Sequence, residues 1–189
     1  MLEYCHWAGA PKVAGYTTHT SPSKFTITAL YSRDGHSVLE CWELTSHPVE
    51  AMSAINFEIG NTTKATWSII EPRTIVGEAW APTVQLSMIL DGLIRITAPS
   101  PTSSNSSLPA IPATTSRNAT EPNPASSVAY IVPGTLRSSL LIAADVKASS
   151  HIRGHYTEFP SDVPTVLVQV PFVGNRVPEH VVLHDGACR

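Results

Sequence analysis

A chain of 189 residues with 12 Lys and Arg against 15 Asp and Glu is close to neutral, at a formal charge of −3, and its basic residues are scattered singly. That spread excludes a nucleic-acid-binding face or a basic membrane patch, and no run approaches the ~18 apolar residues of a membrane span. With 42% hydrophobic residues, only 14% charged and 16 prolines, the expectation is a single all-β domain over residues 1–189, with long polar turns and no long helix.

Residues 1–23 hold Tyr4, His6, Trp7 and Tyr16 among Gly, Pro and Ser without a sustained period. They read as an extended N-terminal arm that covers an open barrel end. From Phe25 the chain alternates like a strand, turns at Arg33-Asp34-Gly35-His36, and returns through Ser37 to Ser46. Asp-Gly between two alternating runs is a strong hairpin signal. On the return run Val38, Glu40, Trp42 and Leu44 share one face opposite Leu39, Cys41 and Glu43, so a carboxylate lies on each face and the pattern does not say which is inside.

Pro48 to Met52 reads as a loop or short helical turn, and Ala54 to Gly60 as a strand. The central stretch, Trp67 to Pro99, reads as the heart of a β-barrel: Gln85 to Gly92 and Leu93 to Ile96 are written like a strand, a tight turn and a paired return strand. Trp67, Ile69, Val84, Leu86, Val166 and Val168 are expected in the core or lining it. Residues 99–127 are almost without large apolar side chains and cannot bury enough surface to offset ordering entropy, so they read as a flexible loop insertion. Strands resume at Val128 to Val132, in Leu136 to Val146, in the apolar run Val166 to Val170 and at His180 to Leu183. Roughly eight strands in a proline-rich chain favour a jelly roll or antiparallel barrel.

The acceptor tripeptides at Asn61, Asn105 and Asn118 point to a secretory route and secretion, with the signal peptide absent from this sequence. Glycans are expected on Asn105 or Asn118 more readily than on Asn61. Against this, a Ser/Thr-rich chain produces such tripeptides by chance. Cys5, Cys41 and Cys188 allow at most one bridge, and their pairing stays open.

The spacing of the central stretch resembles the first motif of the cupin superfamily, in which two histidines one residue apart precede a glutamate seven residues before a glycine. Gln85 and Gly92 match the glutamate and glycine, and Trp80 and Glu78 stand where the histidines would be. Val132-Pro133-Gly134 with Arg137 echoes the second motif and its last metal ligand. The run Gly154-His155-Tyr156-Thr157-Glu158-Phe159-Pro160-Ser161-Asp162, together with Ser37 to Leu44, resembles a group of small fungal cupin-like proteins. Some of these are pericyclases, hetero-Diels–Alder enzymes that join a tropolone quinone methide to the terpene humulene.

The resemblance implies a metal-independent hetero-Diels–Alderase of secondary-metabolite biosynthesis. Glu78, Trp80, Gln85 and Arg137 make a poor ligand set, because Trp cannot ligate and Arg repels a cation. No cofactor is therefore expected. Trp80 and Trp67 would wall in a flat diene, Gln85 or Arg137 would hydrogen-bond its oxygen, and His155 or Tyr130 would act as general acid or base. Glu78, Tyr130 and Arg73 complete the expected substrate-binding set, and the partners are apolar small molecules, with a homodimer allowed. The competing readings are that Trp67 and Trp80 are plain core aromatics, that Arg137 is a solvated rim residue and that His151 and His155 are surface-loop histidines. A cupin shell that binds an apolar ligand without chemistry is the alternative function. No G-x-S-x-G elbow supports a serine hydrolase, and although Glu71, Glu78 and Asp91 lie near one another in sequence, glycoside cleavage wants a richer aromatic cleft beside such carboxylates.

Overall fold

The computed structural model describes residues 23–99, 126–134 and 137–189. Asn105, Asn118, Cys5, the N-terminal arm and nearly all of the expected insertion lie outside them. The chain opens with β1 (Phe25–Arg33) and β2 (His36–Leu44), paired antiparallel with Arg33 opposite His36. The two linking residues both take positive φ, Asp34 at 51° and Gly35 at 77°. That is the twist a two-residue hairpin turn needs.

Next come β3 (Val49–Ala51) and β4 (Ala54–Asn56), a small exposed hairpin. Pro48–Met52, expected as a loop or short helical turn, is thus a strand and turn, and the strand expected through Gly60 stops at Asn56. Then follow β5 (Thr66–Ile70), β6 (Thr74–Ala79), β7 (Gln85–Asp91), β8 (Ile94–Pro99), β9 (Ser126–Ile131), β10 (Leu140–Ala143), β11 (His155–Phe159), β12 (Thr165–Pro171) and β13 (His180–Asp185). A single 3-10 turn, Val173–Asn175, is the only helical element among the described residues.

The all-β class is as expected, but no sheet closes into a barrel. A seven-stranded sheet runs β13-β2-β1-β10-β7-β12-β5 and a four-stranded sheet runs β6-β11-β8-β9. Every pairing of neighbouring strands within the sheets is antiparallel except β1 with β10. The connections β5–β6, β7–β8, β9–β10 and β11–β12 each arch from one sheet to the equivalent position of the other. All four arches therefore lie at one end of the sandwich. The β6–β7 and β10–β11 connections lie at the opposite end.

This arrangement corrects the expected central hairpin, because β7 and β8 do not pair. Both faces of β7 are buried over Gln85 to Ile89, because it pairs with β10 and β12 inside the large sheet, while β8 turns the corner into the small one. Thr165 pins the corner, its hydroxyl lying 3.4 Å from both the amide and the carbonyl of Leu93.

Between the sheets lies a core built from Leu30, Leu39, Ile89, Ile96, Ile131, Leu141, Phe159 and Leu167. A second core covers the other face of the large sheet, where Phe25, Ile27, Trp42, Leu86 and Ile142 pack under Phe172, Phe57 and Ile59. Both faces of β2 are therefore buried, which is why its alternation was ambiguous. Trp42 is fully buried, with His180 stacked on it at 3.6 Å and Tyr31 edge-on. The buried Glu40 accepts a hydrogen bond from the Trp42 indole at 2.6 Å and pairs with Arg33. Burial opposes the Arg33 charge, but hydrogen bonds to Asp185 and Glu40 outweigh it and raise the guanidinium pKa. Arg33 therefore stays charged at every working pH, as a buried carboxylate requires of its partner.

Val84 and Leu86 are core residues, and Val166 and Val168 are half-buried. Trp67 and Ile69 are not in the core. They sit on β5, the edge of the large sheet, and are 61% and 56% exposed, because no strand or loop of the described chain covers that end of the face. A disulfide joins Cys41 to Cys188 across 147 residues and ties the C-terminus to β2.

Candidate functional site

Ala143 ends β10, and two residues later Asp145, an acid following the apolar run Leu140 to Ala144, is fully buried. A buried carboxylate has to be hydrogen-bonded, and this one is bonded on both oxygens. Oδ2 accepts from the Ser37 hydroxyl at 2.6 Å and from His155 Nδ1 at 2.5 Å, and Oδ1 accepts from the Ala81 amide at 3.3 Å. Backbone pairing holds the partners in place: Ala81 bridges Val146, the Ser37 amide donates to the Arg153 carbonyl at 2.8 Å, and His155 begins β11 opposite Ala79.

An ionised carboxylate only accepts, so His155 Nδ1 carries the hydrogen and the lone pair of the neutral ring is on Nε2. Nε2 makes no hydrogen bond among the described residues. The result is an Asp–His dyad with one nitrogen free to exchange a proton. Ser37 donates to the carboxylate rather than to Nε2, so the group is not the arrangement of a serine nucleophile.

Trp80 packs on Gly154, the residue that precedes His155. Its indole donates to the Ser150 carbonyl at 2.7 Å, and the Lys147 ammonium sits 4.6 Å over its ring. Gly154 lets the ring approach, since a Cβ there would stand 2.3 Å from the Ala79 carbonyl and 2.8 Å from Trp80 Cε2. Glu78 accepts from the Gly154 amide at 3.0 Å, and so fixes the residue that precedes His155.

Glu78, Trp80 and His155 are therefore brought together. Gln85, buried at the start of β7 opposite Ala143, lies at the same end of the sandwich. The other four expected site residues are elsewhere. Arg137 is exposed, in the arch between β9 and β10 at the far end, with its guanidinium on the Arg189 carbonyl. Arg73 is exposed in the β5–β6 arch and pairs with Asp162 at 2.6 Å. Tyr130, also near the arches, is exposed opposite Arg95. The Arg95 pKa is raised chiefly by its hydrogen bond to Glu158, with Tyr130 adding to it. Trp67 is on the outer face of the large sheet.

His155 is not the surface-loop residue that its Arg-Gly neighbours suggested, because Asp145 draws it inward. The sequence reading missed Asp145 and Ser37. The available signal was a lone acid closing an apolar strand, which has to find a donor. Of the carboxylates considered for glycoside cleavage, Glu78 is engaged with Gly154, and Asp91 caps the Gly92 amide at the arch end at 2.7 Å.

Two apolar features lie away from the dyad. On the outer face of the large sheet Val168 stands opposite both Met88 and Trp67, and Val166 opposite Ile69. This gives a half-open apolar strip. A separate cleft of about 310 Å³ is lined by Asn61, Phe172, Val177, Pro178 and Arg176, with Asn61 exposed at its rim. Among the described residues no group of three or more His, Cys, Asp or Glu side chains is placed to hold a metal ion. No helix of the described chain is long and apolar enough to cross a membrane. In comparisons with known proteins the chain matches no family model, no curated protein and no solved structure.

Proposed function

We propose that this chain is a cupin-like jelly roll acting as a metal-independent pericyclase on a quinone-methide-type heterodiene and an apolar alkene. The fold reading is supported by the strand order, β5-β12-β7-β10 facing β6-β11-β8-β9, which is the two-sheet winding of an eight-stranded jelly roll. The observation that carries the activity is the buried Asp145–His155 dyad, with Trp80 packed on the residue before His155.

A quinone methide has to be unmasked from a hydroxymethyl phenol. The lone pair of His155 Nε2 takes the phenolic proton, and the electron pair of that O–H bond completes the ring carbonyl and the exocyclic double bond as the C–O bond breaks. Nε2 passes the proton to the leaving hydroxyl, which departs as water. Asp145 holds the ring and stabilises the imidazolium, as carboxylates do in other His dyads. The cycloaddition then forms one C–C and one C–O bond with nothing leaving. Its barrier falls when the reactants are held face to face, which can supply up to ~7–11 kcal/mol in ideal cases, and the Trp80 indole, packed on the residue before His155, offers a flat wall.

The test is incubation with a hydroxymethyl-phenol precursor and humulene, with chiral analysis of the adducts. Enrichment over the uncatalysed mixture is expected. It should fall about a hundredfold in His155→Ala, the scale of a lost general acid, survive in Arg137→Ala and survive dialysis against a chelator. Equal product mixtures with and without protein would refute the reading. The half-open strip from Met88 to Trp67 favours a second reading, a non-catalytic protein that binds an apolar ligand. That reading expects unchanged chemistry and ligand binding that is lost in Trp67→Ala.

An oxidising, secretory compartment is proposed on the Cys41–Cys188 disulfide, which such compartments favour, and on the exposed acceptor Asn61.

A further inference from the structure

On one flank of the sandwich both sheets end in edge strands, β5 and β6, which no further strand pairs among the described residues. Edge strands present unpaired backbone donors and acceptors, and monomeric proteins guard them with charges, prolines or bulges. Thr66–Ile70 has no such guard. It contains no charged residue and no proline, and it displays Trp67 and Ile69 largely exposed. On the neighbouring edge Ile75 and Val76 are exposed as well, at 74% and 54%. The ends of β5 are flanked by Lys64 and Glu71, both exposed and neither in an ion pair among the described residues.

From these features we infer that β5 is a homodimer interface, the occupant being β5 of a second copy paired antiparallel about a two-fold axis at Ser68. The opposite charges that flank this strand select that partner. A two-fold at Ser68 sets Trp67 across from Ile69 of the partner on the same face, an aromatic–aliphatic cross-strand pair. It also sets Lys64 opposite Pro72 and Ala65 opposite Glu71 of the partner, so at each end a lysine and a glutamate of the two copies lie one residue apart along the pair. The interface is isologous, as two-fold dimers are, and it joins two seven-stranded sheets into one continuous sheet. Specific interfaces bury about 1,200–2,000 Å², more than a five-residue strand supplies, and the exposed Ile75 and Val76 on the same flank extend the contact.

Sedimentation equilibrium of the full chain over a concentration series tests this. A dimer is expected, with Ile69→Lys sedimenting as a monomer. Lys64→Glu and Glu71→Lys should each weaken dimerisation about tenfold through two symmetric like-charge contacts, and the double reversal should restore it. The charge-reversal set touches only exposed residues, so it decides the matter even if Ile69→Lys fails to fold. A wild-type monomer at every concentration, or a double reversal no tighter than the singles, would overturn the inference.

Discussion

Replacing Cys188 with serine is expected to cost about 2–5 kcal/mol of stability, toward the upper end of that range. In the chain-entropy account a bridge stabilises by restricting the unfolded chain, and the effect grows with the loop it closes. Here the loop spans 147 residues, for which that account gives about 5 kcal/mol. A domain typically has only about 5–15 kcal/mol in total. The folded tail does not depend on the bridge alone: the Gly186 amide donates to the Leu39 carbonyl at 2.7 Å, the Cys188 amide donates to Thr28 Oγ1 at 3.0 Å, and Asp185 pairs with Arg33 at 2.9 Å. The serine variant should therefore keep its fold in dilute buffer and unfold at much lower denaturant. Urea unfolding of both proteins, each with and without reductant, checks this. A wild-type midpoint that reductant does not move would show that the bridge contributes nothing.

What the sequence disclosed and what it withheld divides along contact range. The Asp34-Gly35 hairpin was legible because the whole signal, two alternating runs and a turn of positive φ, lies within about twenty residues. The strand at His180 and the apolar strand at Val166 were legible from composition alone. The partners of β7 were not, because a strand followed by a glycine turn and another strand is written the same way whether the second strand pairs back or crosses to a facing sheet. Trp67 was misplaced for a related reason. Its alternation with Ile69 reports one apolar face, but whether anything covers that face depends on strand order, and β5 comes last in its sheet.

The Ser37–Asp145 contact shows the limit most clearly. Ser37 and Asp145 are 108 residues apart, and no local pattern marks them as neighbours. Glu78, Trp80 and Gln85, grouped by the cupin spacing, lie at the end of the sandwich that holds Asp145 and His155, since the β6–β7 connection they span is local. Arg137 follows β9 rather than β10 and so falls among the arches at the other end.

Gly92→Ala is expected to destabilise the protein by about 2–5 kcal/mol, and Gly77→Ala by only about 1–2 kcal/mol. The two glycines share a positive φ, 79° and 81°, so a side chain is strained at both. Their surroundings differ. A Cβ at Gly77 would meet nothing within 4 Å, whereas at Gly92 it would stand 2.5 Å from Thr165 Oγ1 and 2.7 Å from Thr165 Cα. Thr165 is fully buried and its hydroxyl holds the corner at Leu93, so it cannot step aside without breaking the arch or shifting β12, whose register already slips between Val166 and Leu167. The difference between the two variants thus reports mainly the steric cost of the crossing between sheets. Thermal unfolding of both in parallel measures it. Equal losses would mean that the corner can relax, and that Gly92 is required for its backbone conformation alone.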